Sequence, residues 1–364
     1  MGQAYSLRAY CYFYLIQLYQ QTYAGNENAP GVPLYVEPTV AGSTGQPRGT
    51  VQGVYDQINA DLDKATELLQ GLAQSHISHI DYYIAKGIQA RVALVQHNYA
   101  KAAAAAAEAL TKNGLKLASV GDLGGNNNVS VGDVMWGVNI TADQSSQFAS
   151  FFSHMDADAP GMYGSQARQC ISTGLYNLIP ETDSRLAWFR GQLEEEKGNS
   201  NTSYCQLKFK MADYTTRTGD YIFMRAEEMV LIKAEAECHQ GLYGEARATI
   251  KQLGDLRDSD FTERLGKRTD SKTYNENTNA PLITLMDEIL FQRRVELWGE
   301  AGRIFDLQRL GLGYNRAYNG SNHTQTVQTK NTKAGSPLFI LPLPQSEIDG
   351  NENITDADQN PIVQ

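Results

Sequence analysis

Residues 82–113 read YYIAKGIQARVALVQHNYAKAAAAAAEALTKN, and residues 226–257 read AEEMVLIKAEAECHQGLYGEARATIKQLGDLR. In the first stretch Ala90 and Ala102 lie twelve positions apart, with Tyr99 three before the second alanine. Ala234, Ala246 and Tyr243 repeat that spacing in the other stretch. Small residues recurring at a fixed offset mark places where two helices cross closely, and an aromatic residue opens the second helix of each pair. The run Ala102 to Ala107 adds high intrinsic helix propensity. Two helical hairpins built on one plan are therefore expected.

Outward from these hairpins, helical periodicity continues. Apolar residues at Leu7, Tyr10, Cys11, Tyr14, Leu15 and Leu18 step by three and four, as do Val54, Ile58, Leu62, Ala65, Leu68 and Leu69. Between them, the Pro/Gly-rich segment 29–49 is too long for a simple turn. A third long helix is expected from Leu282 to Trp298, with Leu285, Met286, Ile289 and Leu290 on its apolar side and charges on the other. Pro337 to Pro342 must run extended against the body, because proline at both ends blocks a helix. From Gly121 to Asp220 glycine, asparagine and serine crowd in, with strand-like runs at Val134–Ile140 and Tyr204–Met211. The expected fold is mainly α: a tetratricopeptide-like helix-pair scaffold carrying an irregular, loop-rich insertion lobe with short strands. Its expected divisions are an N-terminal helical scaffold (1–120), the lobe (121–221) and a C-terminal helical scaffold with an extended tail (222–364). Function is expected on the lobe, since binding residues gather on loops that a scaffold positions.

Of the 364 residues 41% are hydrophobic and 20% charged, an ordinary globular balance. Thirty-one basic against 41 acidic residues give a net charge of −10, which disfavours nonspecific attraction to nucleic acid or an anionic lipid surface. No apolar run is long enough for a membrane-spanning helix. The tyrosine-studded stretch after Arg8 imitates a signal peptide, but it leads into Gln20, Gln21 and Gly25 rather than a small-residue cleavage site. It reads as a core helix, and its position at the start suggests a chain cut from a longer precursor. Cys11 and Cys238 fall in helical apolar patterns and read as core residues, whereas Cys170 and Cys205 are able to pair in an oxidising compartment. No Cys/His ligand spacing occurs, and His76 with His79 lack a third ligand, so neither a metal nor another cofactor is expected.

The segment 293–309, RRVELWGEAGRIFDLQR, alternates acids and bases, so Glu300 with Arg303 and Asp306 with Arg309 are expected to pair along one face. Three further segments belong with it. They are Ala4-Tyr5-Ser6-Leu7-Arg8-Ala9 leading to Gly31-Val32-Pro33-Leu34, Arg225-Ala226-Glu227-Glu228 with Ala234-Glu235-Ala236, and Leu341-Pro342-Leu343-Pro344 followed by Gln359-Asn360-Pro361. In order and spacing the four resemble the SusD/RagB family of outer-membrane glycan-binding lipoproteins of Bacteroidetes, over nearly the whole chain. Gln292 stands where that family usually has an acid, Ala301 interrupts its usual Glu-Gly, and Ile362-Val363 replace its Gly-Tyr. The lipoprotein signal and lipid-carrying cysteine usual in that family before Leu7-Arg8-Ala9 are expected outside these 364 residues. The resemblance implies a scaffold of four helix pairs, an irregular lobe that holds the ligand, and a place on the cell surface at the outer membrane through an anchor outside this chain. It also implies a partner, a TonB-dependent outer-membrane barrel of the SusC type, over which such proteins sit as a lid.

The expected function is non-catalytic capture of an oligosaccharide for delivery to that barrel. Sugars stack their C–H faces on aromatic rings, flanked by hydrogen-bonding side chains. Trp136, Tyr163, Trp188, Tyr204 and Tyr214 are the candidate rings in the lobe, with Asn139, Gln166 and Arg168 as polar neighbours; Trp188, between Leu186 and Phe189, also suits a core. A glycoside hydrolase needs converging carboxylates. Asp156 with Asp158 lie in a loop, and Glu194-Glu195-Glu196 reads as a solvated face, so an enzyme is not expected. The alternative is a tetratricopeptide-like peptide- or protein-binding module. It would need a basic clamp for a peptide carboxylate, and the first hairpin offers only Lys86, Arg91, Lys101 and Lys112.

Overall fold

The structure, a computed structural model, describes residues 1–146, 148–194, 202–277, 279–300 and 302–361. Helices α1 (Gly2–Tyr19) and α2 (Val51–Leu69) pack together, and the linker between them pairs β1 (Pro30–Pro33) with β2 (Arg48–Thr50) antiparallel. Thr50 caps α2 by accepting the Gly53 amide, which satisfies one otherwise unpaired N–H of its first turn. The first expected hairpin follows as α3 (Tyr82–Val95) and α4 (Tyr99–Ala109), capped by Asp81 and Asn98.

The stretch expected as the lobe, 121–221, holds β3 (Val134–Val138), α6 (Phe151–Met155), α7 (Tyr163–Gln166) and α8 (Thr173–Tyr176), with α5 (Val120–Leu123) and β4 (Tyr221–Arg225) lying across its two borders. Strands β3 and β4 pair antiparallel, so the beginning and end of the lobe meet. Tyr204–Met211, expected as a strand, makes only single bridges, Cys205 opposite Cys170 and Gln206 opposite Phe189. Tyr204 adopts a left-handed φ of 62°, which breaks an extended run. Cys170 and Cys205 face each other across one of these bridges. Cys11 is exposed on α1 rather than buried, while Cys238 is in the core.

The second hairpin is α9 (Ala226–His239) with α10 (Tyr243–Arg257), followed by α11 (Phe261–Gly266), α12 (Leu285–Glu296), α13 (Arg303–Arg309), α14 (Gln325–Gln328) and α15 (Gln345–Gly350). The mainly helical reading is borne out. Both second helices start at their predicted tyrosines, and Ala90, Ala102, Ala234 and Ala246 are all fully buried. Helix α4 packs on α9 and joins the two hairpins; at that seam Tyr99 stacks on His239 with ring centroids 4.0 Å apart. Helix α12 starts three residues later than expected because Thr284 and Asp287 close a capping box. The tail buries Phe339 and Ile340, and the Asn360 amide donates to the carbonyls of Tyr19 (2.7 Å) and Leu341 (2.8 Å), tying the C-terminus to the end of α1.

Between the apolar cores lies a buried ionic cluster. Glu296, at the end of α12, meets Arg257 Nε at 2.9 Å, Arg225 Nη2 at 3.3 Å and Arg185 Nη1 at 3.3 Å. Arg225 also reaches Asp133 (3.1 Å) and Glu300 (2.8 Å), and Lys208 binds Glu300 and the Glu296 carbonyl. Glu300 therefore pairs with the lobe and β4, not with Arg303 as its spacing suggests; Asp306 does pair with Arg309, at 2.8 Å. Charges that a helical wheel assigns to solvent are thus directed inward. Two other buried pairs tie α9 to its neighbours, Glu228 to Arg91 of α3 and Glu235 to Arg309 of α13.

Filling a crossing should loosen the frame. Ala246→Leu is expected to lower stability by about 1–3 kcal/mol through overpacking, while Ala104→Leu on the exposed side of α4 stays within about 0.5 kcal/mol; urea midpoints check both. Glu296→Gln leaves three buried cations short of charge and is expected to cost about 3–5 kcal/mol. Burial pushes the Glu227 carboxyl up to about 8 against the pull of Arg225.

The surrounding guanidinium groups overcome burial and hold the Glu296 and Asp306 carboxyls below their ordinary range. Their contribution is complete above an ordinary carboxylate pKa of about 4 and is lost as pH falls below it. Glu227 works in the opposite sense: its contribution is present at low pH and declines as pH rises from that ordinary value through about 8. Wild-type stability measured against pH should rise on the acid side, and Glu296→Gln should flatten that rise.

Candidate functional site

Residues 148–166 form the outer edge of the lobe. Ser150 caps α6, its Oγ accepting the Ser153 amide at 3.1 Å, and this sends Phe152 into the core while Phe151 stays partly exposed. The chain then turns at Asp156, which is buried and accepts the Asp158 amide on Oδ1 (2.9 Å) and the Met211 amide on Oδ2 (2.8 Å). Helix α7 lies directly on this turn: a Cβ at Gly164 would come within 2.4 Å of the Asp156 carbonyl oxygen. The Tyr214 hydroxyl faces the same carboxylate, and burial with the Asp156 charge pushes its phenol up to about 12.

Three rings stand open around this turn: Phe148, Tyr163 and Tyr214 are 50%, 51% and 45% exposed. Tyr163 stacks on His154 at 4.9 Å and meets Phe148 at 5.9 Å. Next to them Ala149 and Phe151 line a cavity of about 410 Å³, whose wall includes Phe209, Tyr221, Phe223 and Asp220. Apolar ring walls with few polar groups suit a ligand that offers both C–H faces and hydroxyls.

The expected residues divide between this edge and the core. Tyr163 and Tyr214 are at the edge, with Gln166 exposed at the end of α7 and Arg168 half-buried, donating to the Ala157 carbonyl at 3.1 Å. Asn139 lies beyond the cavity and donates to Asp220 at 2.8 Å. Tyr204 is half-buried, edge-on to Tyr176 at 5.1 Å. Neither tryptophan offers a face to a ligand. Trp136 is wedged between Tyr10 and Phe223, its Nε1 donating to the Ser78 carbonyl at 3.0 Å, and Trp188 is covered by Lys208 Nζ at 4.6 Å. A large indole finds more apolar contact inside than any loop offers outside. Phe148, Phe151 and His154 were not anticipated, although three phenylalanines within a serine-rich stretch, Phe148, Phe151 and Phe152, are the signal that could have found them.

Asp156 and Asp158 do not form a solvated acid pair, since Asp156 is buried and Asp158 bridges Arg190 (3.3 Å) and Lys210 (3.5 Å). Glu195 and Glu196 lie outside the described residues. His76 and His79 sit in a loop, each ring bonded to a serine hydroxyl, and no group of three metal-ligating side chains occurs among the described residues. The cations of the first hairpin all have intramolecular partners: Lys86 with Glu108, Arg91 with Glu228, Lys101 with Asn59, and Lys112 with Asp81.

Two family models match the chain. One, described as the SusD family, covers residues 186–362; the other, described as starch-binding associating with outer membrane, covers residues 1–94. No curated protein matches. Among solved structures, a SusD superfamily protein from Bacteroides thetaiotaomicron VPI-5482 is 25% identical, with a TM-score of 0.79 over 99% of this chain and 77% of its own. A SusD-like carbohydrate binding protein from Bacteroides vulgatus ATCC 8482 is 22% identical, with a TM-score of 0.77 over the same shares. Surface glycan-binding protein A from Bacteroides uniformis shares the fold at 18% identity, with a TM-score of 0.67 over 99% of this chain and 78% of its own.

The two kinds of ring should respond differently to truncation. Trp136→Ala is expected to lower unfolding stability by about 3–5 kcal/mol, whereas Tyr163→Ala should change it by no more than about 0.5 kcal/mol, as read from denaturant midpoints.

Proposed function

Since the chain belongs to the SusD family, we propose that it is a non-catalytic receptor that captures an oligosaccharide at the outer surface of the outer membrane. It then hands the sugar to a TonB-dependent barrel of the SusC type. The observation that carries this reading is the open ring edge, Phe148, Tyr163 and Tyr214 around the Asp156 turn beside a ring-lined cavity. Tyr163 and Tyr214 serve as stacking platforms, and Gln166, Arg168 and, across the cavity, Asn139 supply hydrogen bonds to hydroxyls. Tyr204 extends the edge only if its contact with Tyr176 opens. The description of the N-terminal family model, starch-binding and associating with the outer membrane, supports both the ligand class and the location. The rival peptide-binding role is disfavoured because the first hairpin's cations already meet carboxylates or an amide of this chain, Glu108, Glu228, Asn59 and Asp81.

A panel of soluble glycans run in affinity gels and by isothermal titration tests the proposal. Stacking worth about 0.5–1.5 kcal/mol per ring predicts a two- to tenfold loss of affinity, roughly, for Tyr163→Ala and for Tyr214→Ala. Unchanged retention in both variants would move the site elsewhere. Heat with C-terminal peptides but with no glycan, or turnover of any sugar, would remove the receptor reading.

A further inference from the structure

A second cleft, of about 320 Å³, opens between α12, α13 and the loop after Gly313, at the small end of ligand pockets, which span about 300–1,000 Å³. Arg294, Arg303, Arg316 and His323 line it together with Tyr314 and Tyr318, and no acidic residue does among the described residues. This is unusual in a chain of net charge −10, where the arginines of the frame, Arg8, Arg91, Arg185, Arg225, Arg257 and Arg309 among them, each meet a carboxylate. Arg303 and Arg316 make no ion pair among the described residues; Asp306, the acid whose charge acts most on Arg303, is shared between Arg293 (3.0 Å) and Arg309 (2.8 Å). Arg316 lies over the Tyr314 ring at 4.1 Å, which fixes its fork. The Tyr318 hydroxyl is held by the Gly174 amide at 3.0 Å and Thr173 Oγ1 at 3.2 Å.

The cations repel one another. Burial first and Arg303 second push Arg294 down to about 9, and burial with Arg316 lowers His323. An anion seated among them would relieve both effects, and guanidinium forks suit two-oxygen acceptors.

We propose that this cleft binds the oxyanion of an acidic saccharide, a uronate carboxylate or a sulfate ester. The inference rests on the receptor reading and adds a charge requirement to it. Titration with an oligogalacturonide against its methyl-esterified counterpart, and with a sulfated galactan oligosaccharide against its desulfated counterpart, distinguishes the two sources. At least one acidic member should bind about tenfold more tightly than its neutral partner, more so at low salt. Arg316→Gln should remove that preference, as should Arg303→Gln with Arg316→Gln, while Tyr163→Ala retains it. Arg316→Gln alone decides the matter if the double variant fails to fold. Equal binding of acidic and neutral members, or a preference that survives Arg316→Gln, overturns the proposal while leaving the receptor reading intact. Failure to bind any saccharide overturns both, and binding of inorganic sulfate alone removes the saccharide assignment.

Discussion

Glu296 is a carboxylate with no contact with water, and it is met by guanidinium groups from three directions: Arg185 from the lobe, Arg225 from the end of β4, and Arg257 from the last turn of α10. Removing such a group from water costs several kcal/mol even after the protein relaxes, so it stays ionised only where cations are delivered to it. Each of the three arginines in turn needs the carboxylate. Lobe, second hairpin and α12 are thereby fixed against one another at a single point. An apolar contact at the same place would tolerate sliding; hydrogen-bonded ion pairs at about 3 Å do not.

That fixed point explains how a lobe with little regular structure presents a defined edge. Its two ends are joined by β3 and β4, β4 runs straight into Arg225, and its later part is pinned by Arg185 and Lys208. Between Asn139 and Arg168, Phe152, Ala159 and Met162 anchor the chain in a small core of their own, and the buried Asp156 organises the turn locally through two backbone amides. The division of arginines follows the same logic. Those matched to carboxylates make the frame, and in the cleft beside α13 Arg303 and Arg316 stand without an ion pair among the described residues.

The hairpins were legible because their determinant is local: alanine where helices cross, tyrosine where the second helix begins. The terminal and central motifs were legible as a family pattern, but their physical role was not. Arg8 binds Asp61, Arg225 and Glu296 belong to the ionic cluster, Glu235 binds Arg309, and Asn360 ties down the tail. These partners lie tens to hundreds of positions apart, and three-residue spacing could not reveal that Glu300 would choose Arg225 over Arg303. The same limit applies to the rings. Whether Trp136 is open depends on Tyr10 and Phe223, which come from α1 and β4, and no window around residue 136 contains them.

Strongly shifted titrations are often a pointer to chemistry, because catalysis needs groups poised away from their ordinary values. Here the pointer leads to the frame. Glu296, Glu300 and Asp306 are held ionised by guanidinium or ammonium groups, and of the three Glu300 alone lines the cavity beside the ring edge, where Arg225 and Lys208 hold it. A general acid or base must reach a substrate proton and change its charge during turnover. A buried carboxylate saturated by arginine can do neither without dismantling the structure around it. What the edge presents is a set of open rings, Phe148, Tyr163 and Tyr214, with the His154 imidazole stacked on Tyr163.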